Sequence, residues 1–176
     1  MRVDVTDMLS VKNKVAERDV CIDLDAFESK LGTFPITQKA PFVLTLTNEE
    51  NEFLFVEGET DVTIAIPCDR CLEEVSVDLH LVVDRKFSLK KTEMPDEEVD
   101  AEEIDEFEGS TLCVDNLIYD EILVNWPMKV LCREDCKGIC RKCGANLNLT
   151  TCTCDRTELD PRMAAIQDIF NQFKEV

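Results

Sequence analysis

A chain of 176 residues that is 44% hydrophobic and 32% charged, with 5 Gly and 6 Pro, is long enough for one core with a small satellite module, and its composition excludes collagen-like and disordered classes. The formal charge of −19 has the wrong sign for extended contact with a phosphate backbone. No run of 18 apolar residues occurs and residues 1–20 lack a signal-peptide core, which predicts a cytoplasmic protein without a membrane span.

In chain order, "RDVCIDLD" at 18–25 alternates Val20, Ile22 and Leu24 and predicts an outer strand, whereas residues 26–41 carry no decisive pattern. Phe42, Leu44 and Leu46 share one face of a strand that "TNEENE" at 47–52 ends as a turn. "FLFV" at 53–56 predicts a second strand, "EGE" at 57–59 a further turn, and Val62, Ile64 and Ile66 the inward face of a third. Val75, Val77, Leu79, Leu81 and Val83 then alternate through a long fourth strand reaching toward Leu89. Short turns between neighbours imply antiparallel pairing, hence a β-meander.

Residues 93–108 hold ten acids and no base, so self-repulsion predicts a solvated, flexible segment at 93–109. Beyond it Asp115 is placed to cap a helix carrying Val114, Ile118, Ile122 and Trp126, with Pro127 ending it. Asp160 and Pro161 open a C-terminal helix with Met163, Ile166, Phe170 and Phe173 in its stripe. The predicted class is α+β: an antiparallel β-meander core with a packed helix, followed by a Cys-rich zinc-ribbon-like module and a C-terminal helix. The boundary falls at 130/131, giving a β-rich domain over 1–130 and the Cys-rich module with its helix over 131–176.

Ten cysteines in a reducing compartment argue for metal before disulfides. Cys140 and Cys143 enclose two residues and precede Gly144, as in a zinc knuckle, and Cys152-Thr153-Cys154 follows. Four thiolates from two such arms close a tetrahedral site of the kind structural zinc prefers. Cys68 and Cys71, in the short loop between the third and fourth strands, form a second knuckle, and we pair them with Cys132 and Cys136. A second division stays open, with Cys132 and Cys136 as spare ligands of the ribbon and Cys68 and Cys71 as reduced thiols. The spacing lacks the close triplet and Cys-Pro of a bacterial ferredoxin. Cys21 and Cys113, among apolar neighbours, read as small core residues.

The single histidine, His80, lies on a strand as a surface residue, so no Ser-His-Asp or Cys-His arrangement can be built. No phosphate-binding glycine loop or nucleophile elbow occurs either. The chain is read as no enzyme, with no small-molecule substrate.

"CDRCLEEV" at 68–75, "CREDCKGICRKCGANLN" at 132–148, "CTCD" at 152–155 and "DPRMAAI" at 160–166 resemble the YceD family of bacterial proteins linked to accumulation of large-subunit ribosomal RNA. The resemblance implies a ribosome-biogenesis factor supporting synthesis, processing or stability of that rRNA. Its implied partners are the pre-ribosomal large subunit, rRNA or a basic ribosomal protein, and it favours the pairing of Cys68 and Cys71 with Cys132 and Cys136. Two other readings stand beside it: a zinc-stabilised module or chaperone for a basic ribosomal protein, and a thiol redox switch.

Overall fold

The computed structural model describes residues 1–89, 107–108 and 110–154. The expected C-terminal helix lies outside the described residues, as does the acidic run apart from Phe107–Glu108. The chain divides into two compact units, one comprising Met1–Cys68 and Glu73–Val130, the other Asp69–Leu72 and Leu131–Val176. Among the described residues no helix is long and apolar enough to cross a membrane.

The first unit is mostly antiparallel β-sheet. Its strands are β1 (Arg2–Asp4), β2 (Val15–Val20), β3 (Ala26–Ser29), β4 (Gly32–Lys39), β5 (Phe42–Glu49), β6 (Phe53–Pro67), β7 (Glu74–Ser88), β8 (Phe107–Glu108) and β9 (Thr111–Cys113). The helices are α1 (Thr6–Leu9) and α2 (Val114–Val124). One sheet has the order β2-β5-β6-β4-β3 with β7 also on β6, and β1, β9 and β8 form a small second sheet.

β6 organises the large sheet. Its residues 53–58 pair with β5, Val62–Ile64 pair with β4, and β7 pairs along its whole length from Phe53↔Ser88 to Pro67↔Glu74. The predicted second and third strands are therefore one strand of 15 residues, and the turn expected at 57–59 does not form. Gly58 is the physical reason: a Cβ there would lie 2.8 Å from Leu44 Cδ2 and 2.9 Å from the Val43 carbonyl oxygen. The glycine admits close approach of β5 rather than a reversal. The reversal comes earlier, at Glu50 and Asn51, whose φ values of 51° and 59° and the Glu52 N–H to Glu49 O bond of 2.9 Å make a type I′ hairpin turn.

The alternation buries Leu54, Val56, Val62, Ile64 and Ile66 of β6 and Leu79, Leu81 and Val83 of β7. α2 presents Val114, Leu117, Ile118 and Ile122 to the same core at helical spacing. Asp115 stands in the first turn of α2 rather than at its cap, which is Cys113, and accepts the Asp23 N–H at 2.9 Å. Trp126 lies past the helix end and stacks on Phe27, with ring centroids 5.0 Å apart. Asn48, fully buried, donates to the Met8 carbonyl at 2.7 Å and accepts the Asn51 N–H at 3.0 Å, tying α1 to the β5–β6 turn.

Candidate metal centre

β6 and β7 are joined by a tip of a few residues, which begins immediately after Pro67 and ends before Glu74. The Cys68 N–H donates to the Glu73 carbonyl at 2.8 Å, closing the hairpin beneath the tip. Leu72 completes the turn at φ 63°, where the knuckle at Cys143 uses Gly144 at φ 72°. Cys68 and Cys71 are both buried.

The sulfurs of Cys68, Cys71, Cys132 and Cys136 lie within 4.8 Å of one another, with Cys71 and Cys132 at 3.5 Å. In a tetrahedral thiolate site with bonds of about 2.3 Å, neighbouring sulfurs are about 3.8 Å apart. Arg70 straps the tip to the chain around Cys136: its guanidinium donates to the Cys136 carbonyl at 2.8 Å, and its own carbonyl accepts the Ile139 N–H at 3.0 Å. Gly138, at φ 75°, makes this possible, because a Cβ there would sit 2.8 Å from the Arg70 oxygen.

The sulfurs of Cys140, Cys143, Cys152 and Cys154 form a second group, again within 4.8 Å of one another. Here Cys140 is buried, Cys152 and Cys154 are half-buried and Cys143 is exposed. A short hairpin builds the first arm: Ile139 bridges Asn146, Cys140 N–H donates to Ala145 O at 2.9 Å, and Gly144 N–H returns to Cys140 O at 2.8 Å.

Cys140 and Cys154 of the second group, and Cys136 of the first, are displaced from the ordinary thiol range. Backbone N–H groups of Cys143 and Lys142 bring the Cys140 thiol down to about 6. A hydrogen bond to Cys143, with burial and the charges of Cys143 and Cys140 adding, pushes the Cys154 thiol up to about 12. The Asn148 side-chain amide, foremost, lowers Cys136. Adjacent thiols thus ionise unequally, and a divalent cation would permit all four of a group to ionise. An all-sulfur donor set of this geometry fits a thiophilic metal ion.

The two thiols outside these groups depart from the sequence expectation. Cys21 is exposed and Cys113 half-buried, because Cys21 follows β2 with only its neighbours Val20 and Ile22 turned inward. His80 is on the surface, its Nδ1 2.8 Å from Asp61 Oδ1. Sequence reasoning did not single out Arg70, Gly138 or Asn148; the only local trace is that Arg70 sits inside a Cys-x-x-Cys loop and Asn148 in an Asn-rich turn.

A family model described as "Large ribosomal RNA subunit accumulation protein YceD" matches residues 56–170, a span that contains both thiol groups. The chain is 27% identical over 151 residues to "Large ribosomal RNA subunit accumulation protein YCED homolog 1, chloroplastic" of Arabidopsis thaliana, covering 69% of this chain and 46% of that protein. It is 26% identical over 140 residues to an uncharacterised protein of Mycobacterium bovis, covering 79% and 67% respectively. An uncharacterised protein of Mycobacterium leprae is 27% identical over 111 residues, covering 61% and 50%. The chain thus spans about half the length of the plastid relative. No solved structure matches it.

Proposed function

Because the chain belongs to the YceD family, we propose that it is a cytoplasmic, non-enzymatic ribosome-biogenesis factor that sustains large-subunit rRNA. The observation that carries this reading is the family match over 56–170. In it, Cys68, Cys71, Cys132 and Cys136 hold one structural zinc and Cys140, Cys143, Cys152 and Cys154 another, the latter in a zinc-ribbon-like module. Zinc supplies a closed tetrahedral cross-link and no chemistry on a substrate. Arg70 and Gly138 set the geometry of the first group.

A chain of charge −19 does not adhere to RNA by bulk electrostatics, so its contact with the pre-ribosome is either local or through a basic protein. The acidic run of 93–108 favours the second, acting as a shield for a basic ribosomal protein until assembly. Lys137, Arg141 and Lys142, all exposed, offer the local alternative. The test is large-subunit rRNA abundance in cells that depend on this protein. Changing Glu97, Glu98, Glu102 and Glu103 to Gln should lower it if the shield operates, with stability unchanged. Reversing Lys137, Arg141 and Lys142 to Glu should lower it instead if the module grips RNA. A deletion that leaves the rRNA unaffected removes the family function from this chain.

A further inference from the structure

The hairpin at 138–147 follows the last cysteine of the first group and carries Cys140 and Cys143 of the second. It begins two residues after Cys136, contains Cys140, and is held by the Leu147 N–H to Gly138 O bond of 2.9 Å and the Ile139–Asn146 bridge. Just past it, Leu149 and Thr150 N–H groups fold back on the Asn146 carbonyl at 3.1 and 2.9 Å, and the Asn148 N–H donates to Asn146 Oδ1 at 2.9 Å. This turn presents the Asn148 side chain to the first group. Its Nδ2 donates to Cys136 Sγ at 3.2 Å, while its Oδ1 accepts the Lys137 N–H at 2.8 Å. Both ends of one amide are therefore committed, one to the Cys136 sulfur and the other to the Lys137 N–H. Yet Asn148 is carried on the loop between Cys143 and Cys152, both members of the second group.

We propose that Asn148 is a positioning residue that couples the two centres: a metal ion held by Cys140, Cys143, Cys152 and Cys154 fixes both ends of the 144–151 loop, and the loop delivers the amide to the Cys136 sulfur. The N–H···S bond spreads thiolate charge and orients the ligand, as outer partners of metal ligands generally do. Loading of one centre then raises the affinity of the other, and linkage requires the effect to be equal in both directions. This proposal rests on the metal reading above.

The experiment is zinc titration of the full chain against a chromophoric chelator, with cobalt(II) spectra of the saturated protein. Cys143→Ser removes no ligand of the first group, yet should weaken zinc binding there about tenfold, within the range for outer-partner loss. Asn148→Asp, which keeps the acceptor for the Lys137 N–H, should cause a similar loss, and the double variant no further loss. Cys71→Ser should weaken the second group by the same factor. In cobalt-saturated protein, both Asn148→Asp and Asn148→Leu should move a sulfur-to-cobalt charge-transfer band to longer wavelength. A residue that only steadied the loop would leave that band in place. Two ions bound by the wild type, with first-group affinity unchanged in Cys143→Ser or with losses that multiply in the double variant, would overturn the coupling alone. A wild-type chain that takes up no ion would overturn the metal reading and the coupling with it.

Discussion

The β-rich unit and the described Cys-rich residues 131–154 reach order by opposite means. The β-rich unit encloses a continuous apolar cluster running from Val3 to Val130, to which β-strands and α2 all contribute. None of residues 131–154 belongs to that cluster, and the buried side chains there are Cys136 and Cys140. Apolar burial at about 25 cal/mol per Å² suffices for the first. Among the described residues of the second, 131–154, ordering comes instead from glycines at positive φ, backbone hydrogen bonds and the two thiol groups.

The largest effect that would sharpen this contrast is metal removal. Under our metal reading, a strong chelator should abolish amide protection over 131–154 and Cys143→Ser over 140–154, because structural zinc contributes on the order of 10 kcal/mol to such modules. Amides of β6 and β7 should remain protected; simultaneous loss in both regions would break the contrast. Next comes Leu81→Ala, which empties a fully buried site. It should cost about 2–5 kcal/mol in denaturant unfolding while leaving zinc content unchanged.

Gly138→Ala tests the Cys-rich unit without touching a thiol. The new Cβ meets the Arg70 carbonyl oxygen at 2.8 Å on backbone at φ 75°, so a loss of about 2 kcal/mol is expected there, read as faster zinc transfer to chelator. The smallest effect is a gain: Glu50→Asn, in a turn position at φ 51°, should raise the melting midpoint by the equivalent of about 0.5 kcal/mol. No gain would mean that the Glu50 side chain has contacts offsetting its strained backbone.

Strand legibility followed the period of two. β5 and β7 stand out because Leu44, Leu46, Leu79, Leu81 and Val83 alternate with exposed or half-buried residues. β3 and β4 do not, because Pro35 and the register shift between Ile36 and Gln38 interrupt the alternation. "EGE" misleads because a glycine between acids has the composition of a turn, and only the pairing partner Leu44 reveals why the side chain is absent. Within the site, Cys140 and Cys143 with Gly144 are readable locally. The approach of Cys71 to Cys132 spans 61 positions, and the contacts of Arg70 with Cys136 and of Asn148 with Cys136 span 66 and 12. Such partners are set by tertiary folding and leave no periodic trace.

That 61-residue separation has a consequence for biosynthesis. A chain leaving the ribosome exposes Cys68 and Cys71 long before Cys132 and Cys136 exist, whereas Cys140 to Cys154 emerge almost together. The first pair must wait while β7 and α2, both encoded in between, are made and folded. Under the metal reading, an ion joining the two pairs would act as a clasp on that completed span. In the chain-entropy picture, a cross-link over so long a loop disfavours the unfolded ensemble by on the order of 4 kcal/mol, against about 3 for the short one. On that reading the long-range clasp closes only after β7 and α2 have been made, and it would constrain the span that contains them.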